Sequence, residues 1–365
     1  MGAPCFKYKD IIQKNNVKVF SSNFSLYGDI SQRVMTTLEQ FTDEIEVYSI
    51  DEAFLKFTGD QGNEALGQKI RQTVRQWTRI PVSIGIAKTK VLAKVANHLA
   101  KKYPYFNGVC DIANEDVDFI LHDLPVEELW GIGRKSTKKL KVLGVMTAGQ
   151  LLARPDAWIR KNLSISGLHI VYELRGIPCF KLDDNPEPKK GIMCTRSFGT
   201  PITTKDELKE AVATYTERAA AKLREEKLVT SYFYIYIRTN HFNLDKKYIG
   251  SKGIHLPVAS SYTPLLVSKA MELVDAIYRE GYRYAKAGVC CVGLLPENTI
   301  QQNLFTTVAF EKNKELMKAV DQVNRHFGKD TLFMAGSGIK KKWSMLSEHK
   351  SQRFTTAIKE VPIVK

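Results

Sequence analysis

Two adjacent carboxylates, Asp51 and Glu52, stand inside a run that otherwise reads as a strand, with Val47, Ile50, Ala53, Phe54 and Leu55 around them. Neighbouring anions repel each other and resist burial, so something must hold them. A structural ion pair with a lysine such as Lys56 is one solution. A divalent metal is the other: Mg²⁺ takes oxygen ligands, keeps several waters, and is commonly held by one or two carboxylates together with substrate phosphates. Two such ions can activate an attacking hydroxyl and stabilise a leaving pyrophosphate. Successive strand residues point to opposite faces, so both side chains reach one site only where the strand ends, bends or bulges.

Three further stretches carry chemistry. In "LWGIGRKSTKKLKVLGV" the turn Gly131-Ile132-Gly133 precedes a basic helix that puts Leu140 and Leu143 on one face and ends at Gly144, and Thr147 is placed to cap a second helix. Glycines there let backbone amides approach a phosphate, and Arg134, Lys135 and Lys138 add charge. A plain helix turn is the competing reading. On the strand 229–239, Phe233, Ile235 and Ile237 share one face, whereas Tyr232, Tyr234, Tyr236 and Arg238 share the other. That aromatic and basic face is either an ordinary wet sheet surface or, with Arg196 and Lys286 on neighbouring strands, a phosphate contact. Finally, "QQNLF" at 301–305 puts the apolar pair Leu304–Phe305 on a polar stretch, as an anchor for another protein's pocket.

The elements that must position these groups follow from periodicity. A short strand at "VKVFSSNF" leads into a helix in which Ile30, Val34, Leu38 and Phe41 recur at helical spacing. The strand bearing Asp51–Glu52, a polar helix near 62–78, the strand "IPVSIGIAKT" and the helix "KVLAKVANHLAKKY" complete a layer with a single sheet, the carboxylates on its central strand. Residues 123–178 read as short helices and glycine turns without a strand. After the proline-rich linker 183–191 the order is strand, helix, strand, strand, helix, strand up to 294, a β-α-β-β-α-β unit. One more helix is expected near 311–326.

Composition sets the bounds. The 365 residues exceed one ordinary core, so two to four domains are expected. The net charge of +15 is uneven, with 6 Lys/Arg against 9 Asp/Glu in residues 1–60 and 48 against 30 in the remainder. Such a basic body favours a polyanionic partner, although solvated lysine faces alone produce similar totals. The longest apolar run, "YFYIYI", is too short to span a bilayer, and no leader pattern opens the chain, so a cytoplasmic protein is expected. The six cysteines have no zinc-type spacing and read as reduced thiols.

Together "YSIDEAF", "FSSNFSLYGDISQRVM", "SIGIAKTKVLAKVANHLAKK", "LWGIGRKSTKKL", "CTRSFG" and "YAKAGV" resemble the Y-family translesion DNA polymerases, in particular their UmuC-like branch. The resemblance implies an α+β multidomain right-hand polymerase with a ferredoxin-like palm, a helix-hairpin-helix thumb and a β-α-β-β-α-β little finger. It implies a fingers remnant at 1–18, an incomplete palm at 19–116, the thumb at 117–182, the linker 183–191, the little finger at 192–296 and a tail at 297–365. The implied activity is error-prone translesion synthesis in the bacterial SOS response, a template-directed nucleotidyl transfer with two Mg²⁺ ions and a dNTP substrate.

Carried over to this chain, Asp51 and Glu52 would be catalytic, metal-binding carboxylates and Lys101 would touch the incoming triphosphate. Gly131, Gly133, Arg134 and Lys135 in the thumb, with Arg196 and Ser197 in the little finger, would bind the DNA backbone. Gln301, Leu304 and Phe305 would anchor a sliding clamp, with Gln302 standing where Leu is more usual. The implied partners are primed damaged DNA, the clamp, a dimer of processed UmuD, and RecA, at the nucleoid and away from any membrane. Family members carry, before the stretch matching "MGAPCFK", a strand with a further metal-binding Asp, a ribose-excluding residue, and a fingers Tyr and Arg. Asp10, Asp29 and Asp43 do not sit in that motif, so this chain is expected to be inactive by itself. The alternative is a non-catalytic protein that binds DNA and the clamp.

Overall fold

The computed structural model describes residues 3–58, 63–182, 188–299, 310–361 and 363. It divides into two units, Met1–Pro186 with His349–Lys365, and Glu187–Glu348.

The first unit opens with α1 (Lys9–Lys14) and α2 (Phe24–Leu38), the latter capped by Asn23, whose side chain accepts from the Leu26 amide. The expected strand at "VKVFSSNF" does not form. Residues 17–20 join no ladder, and Ser21 makes only an isolated parallel bridge with Lys350. Asn23 Nδ2 donates to the Ser351 carbonyl at 3.0 Å, which fastens the chain's last segment beside α2.

The stretch read as one strand is a hairpin. β1 (Ile45–Ser49) and β2 (Glu52–Leu55) pair antiparallel, with Ser49 opposite Glu52 and Ile50–Asp51 forming the turn. α3 (Asn63–Thr78) follows and buries Ile70 and Val74 against Val34 of α2. β3 (Ile84–Ile86) leads to α4 (Lys90–Lys102), and β4 (Val109–Asp111) pairs parallel with β3. The described strands of this unit therefore form two separate two-stranded ladders instead of the single sheet expected, and the carboxylates lie at a hairpin end, Asp51 in the turn and Glu52 at the start of β2, not on a central strand.

Helices α5 (Val117–His122), α6 (Arg134–Val142), α7 (Ala148–Leu152) and α8 (Asp156–Leu174) complete this unit, with no strand among the described residues between them. Thr147 caps α7 as expected, in a box with Gln150. Leu140 is buried; Leu143, expected on the same face, is exposed because α6 ends before it. Glu173 of α8 is fully buried and satisfied by backbone amides, Val91 at 3.2 Å, Cys179 at 2.6 Å and Phe180 at 2.8 Å. It fixes the N-terminal end of α4 to α8, and Thr89, the α4 cap, donates to the Glu173 carbonyl at 2.8 Å.

The second unit is built on β5 (Gly191–Ile202), α9 (Lys205–Glu225), β6 (Leu228–Thr239), β7 (Ile249–Ser260), α10 (Thr263–Ile277) and β8 (Tyr284–Pro296). The sheet order is β5-β8-β6-β7 with every neighbouring pair antiparallel. Phe233, Ile235 and Ile237 are fully buried under α9 and α10, as the alternation of β6 predicts. The following helix α11 (Phe310–Phe327) packs outside α9, where Arg224 forms a two-pronged contact with Asp321 at 2.6 and 2.8 Å. Trp343 is buried against Tyr215 and Phe198 in this unit's core, to which the segment 310–348 belongs by its contacts.

Candidate functional site

The turn that carries the two carboxylates is closed by its own side chains. Ser49 Oγ donates to Asp51 Oδ1 at 2.6 Å and accepts from the Asp51 amide at 3.3 Å. Asp51 thereby projects into solvent, while Glu52 begins β2 and is met by α4.

The lysine that meets this pair is not Lys56, which bonds Glu44 at 2.5 Å. It is Lys94 of α4, whose Nζ bonds Glu52 Oε1. One turn earlier Lys90 bonds Glu46 of β1, so α4 lies against the hairpin through two parallel ion pairs. The hairpin's other support is aromatic. Tyr48 and Phe54 stand edge-on to Trp130, ring centres 5.4 and 5.7 Å apart, just ahead of the Gly131 turn. Lys101 is exposed on α4, seven residues beyond Lys94 and so about 10 Å along the same face. The sequence names Asp51, Glu52 and Lys101 as candidates but not Lys94, the partner of Glu52; the i, i+4, i+11 spacing of Lys90, Lys94 and Lys101 was the available signal.

Among the described residues no cluster of three or more His, Cys, Asp or Glu side chains is placed to hold a metal ion. The donor set at the turn is two carboxylates, which fits the way Mg²⁺ is held by a protein that leaves its remaining positions to water and phosphate.

A second locality surrounds α6. Gly131 has φ +88°, and a Cβ there would come within 2.6 Å of Ile170 Cδ1, so only glycine suits the position. Gly133 caps the helix without a side-chain hydrogen bond, no acidic residue stands in the first turn, and the space in front of it is open. Gly133, Arg134, Lys138 and Lys141, with Glu127, line an open cavity of about 670 Å³, and Lys135 is exposed in the same first turn of α6.

A third is the open face of the β5-β8-β6-β7 sheet. Ser197, Lys286 and Arg238 fall in one cross-strand row, and Tyr236, Tyr234 and Tyr232 continue along β6 on the same face. Gly253 lies opposite Tyr234; a Cβ there would come within 2.1 Å of the Tyr232 hydroxyl, and Tyr232 stacks at 4.5 Å on His255. A hydrogen bond with Cys290, aided by burial, pushes the Tyr234 hydroxyl up to about 12, so it remains neutral. Arg196 does not join this face. Its row holds Ala287 and Ile237, both buried, which places it on the helix side with Cys194. Gln301, Leu304 and Phe305 lie outside the described residues.

A carboxylate-bearing hairpin, a glycine-turn helix and an antiparallel sheet under two helices, in this order, are the parts of a Y-family polymerase fold. The solved Y-family DNA polymerase chimera Dbh-Dpo4(243-245)-Dbh superposes with a TM-score of 0.62 at 20% identity, covering 79% of this chain and 82% of that one. Sequence profiles match at 1–98 (impB/mucB/samB family), 114–145 (the helix-hairpin-helix motif of that family), 189–304 (its C-terminal domain) and 314–364 (a domain of unknown function). Protein UmuC of Salmonella typhimurium is 40% identical over 371 residues, spanning all of this chain and 88% of that protein. Protein ImpB, also of Salmonella typhimurium, is 38% identical over 373 residues with the same coverage. The chain belongs to the impB/mucB/samB family of Y-family, UmuC-like proteins. Among the described residues no helix is long and apolar enough to cross a membrane.

Proposed function

We propose that the chain serves template-directed nucleotidyl transfer across damaged DNA, with Asp51 and Glu52 contributing two metal-binding carboxylates to a two-metal centre that needs a further ligand beyond those the described residues bring to the turn. The observation that carries this reading is the presentation of Asp51 and Glu52 on consecutive residues at the β1–β2 turn, with Glu52 against the lysine-bearing face of α4. When bound there, Mg²⁺ supplies charge neutralisation for a triphosphate and lowers the pKa of an attacking hydroxyl. Asp51 and Glu52 hold it, Ser49 orients Asp51, and Lys101 offers charge to the triphosphate from the same helix face.

The DNA backbone is held at two places. The α6 amides with Gly131, Gly133, Arg134 and Lys135 form one, and Ser197 with Lys286 and Arg238 forms the other. By likeness to UmuC the setting is the bacterial SOS response, in the cytoplasm, with a sliding clamp bound through 301–305 and with processed UmuD and RecA as partners. The test is extension of a primed template past an abasic site in Mg²⁺, abolished by Asp51→Asn and by Glu52→Gln. Extension that survives both substitutions refutes the assignment of the carboxylates.

One observation favours a second reading, a DNA- and clamp-binding protein without catalysis: Glu52 is already neutralised by Lys94, and the described residues bring no third metal ligand to the turn. That reading predicts salt-sensitive binding of primed DNA with no Mg²⁺-dependent extension.

A further inference from the structure

The two ion pairs between α4 and the hairpin differ in a way that bears on the metal reading, on which this inference rests. Lys90 is held three ways: by Glu46, by the Lys181 carbonyl at 2.7 Å and by the Phe54 ring at 5.1 Å. Its side chain is 11% exposed and that of Glu46 15%. Lys94 has Glu52 as its described partner, and the two side chains are 23% and 32% exposed. Lys90 is therefore a fixed strut, while Lys94 is a compact charge on a flexible four-carbon stem held at one end.

We infer that Lys94 is a mobile counter-ion: it neutralises Glu52 while no metal is bound, and moves to the phosphates of the incoming nucleotide when a divalent cation claims that carboxylate. An ammonium and a divalent cation repel each other at one carboxylate oxygen, so occupancy of Glu52 by the metal expels Lys94. The ammonium does not travel far. Its helix face continues to Lys101, where no described carboxylate competes for a phosphate. Lys94 thereby opposes metal binding without nucleotide and favours it with nucleotide.

The test measures binding, not turnover, on the full chain and its Lys94→Met, Lys90→Met and Glu52→Gln variants. Mn²⁺ affinity is read by electron paramagnetic resonance without nucleotide, and nucleotide affinity by titration with a fluorescent dNTP in Mg²⁺. Lys94→Met is expected to bind Mn²⁺ about tenfold tighter and the dNTP about tenfold weaker, with unchanged thermal unfolding. Lys90→Met is expected to lose thermal stability, as a strut would. Opposite signs for the two ligands are not produced by a merely structural lysine. Mn²⁺ binding that needs Glu52 but ignores Lys94, or parallel losses of both ligands in Lys94→Met, overturns the inference alone. Mn²⁺ binding unaffected by Glu52→Gln, or absent from all four proteins, overturns the metal reading beneath it.

Discussion

The glycine turn before α6 offers a pair of substitutions two residues apart whose consequences separate architecture from function. Gly131→Ala places a Cβ on a backbone at φ +88° and drives it to 2.6 Å from Ile170 Cδ1, and Ile170 is itself buried. The left-handed backbone costs about 1–2 kcal/mol for an L side chain, and forcing a methyl into packed core adds roughly 1–3 kcal/mol. A total near 3 kcal/mol lowers the melting temperature by about 6–12 °C in a unit of this size. Gly133→Ala meets none of this. Its φ is −81° and nothing lies within 4 Å of the new methyl; the poorer N-cap preference of Ala and the reduced entropy of the unfolded chain oppose each other, so stability is expected to change by less than about 1 kcal/mol. The methyl instead occupies the approach to the α6 amides. Losing one charge-assisted amide–phosphate hydrogen bond costs about 1.5 kcal/mol, roughly tenfold in affinity. Differential scanning fluorimetry and fluorescence anisotropy with primed DNA read the two effects separately. A Gly133→Ala protein that melts like Gly131→Ala, or that binds DNA like the parent, refutes the assignment of this turn as a phosphate cradle.

Burial raises the Glu217 carboxyl, while hydrogen bonds from Ser337 Oγ at 2.6 Å and the Met334 amide at 2.8 Å pull the other way. A carboxyl raised in the folded state contributes stability below its unfolded pKa and loses it as pH rises through the folded one. Glu217→Gln, which keeps the acceptor oxygen and drops the charge, is therefore expected to raise the melting temperature at pH 7 and leave it unchanged at pH 4. Burial pushes the Cys110 thiol up to about 11 and Cys291 up to about 12, whereas Cys5 is exposed. Alkylation with iodoacetamide at pH 8 should label Cys5 in the native protein and reach Cys110 and Cys291 only after denaturation, as mass spectrometry of the peptides will show. Lys286→Ala and Arg238→Ala should each reduce the slope of log K for DNA against log salt by about 1. Arg196→Ala, on the other side of the sheet, should leave it unchanged.

The contrast between Lys286 and Arg196 shows where sequence reading succeeds and where it stops. Alternation along β6 separates Tyr232, Tyr234 and Tyr236 from Phe233, Ile235 and Ile237 without reference to any neighbour, because the period of two is a property of one strand. Register is a property of two strands. A shift of one residue between β5 and β8 exchanges Arg196 for Ser197 on the open face, and nothing in "CTRSFG" specifies that shift. The helices α3, α4, α9, α10 and α11 were legible for the converse reason: their periodicity, the Thr89 and Thr204 caps of α4 and α9, and the glycine after α11 are all local.

The hairpin at the carboxylates was hidden by its turn chemistry. A two-strand connection usually declares itself through Gly, Asn-Gly or Pro, but Ser49-Ile50-Asp51 closes through the Ser49 hydroxyl, which donates to the Asp51 carboxylate and accepts from the Asp51 amide, leaving an uninterrupted β-forming run in the sequence. The two solutions to the neighbouring anions, a lysine and a metal, then cease to be rivals. The turn turns Asp51 outward, and Lys94 neutralises Glu52 from a helix that no local pattern ties to the hairpin. On the metal reading proposed above, the Lys94–Glu52 ion pair is the contact that a divalent cation would have to displace.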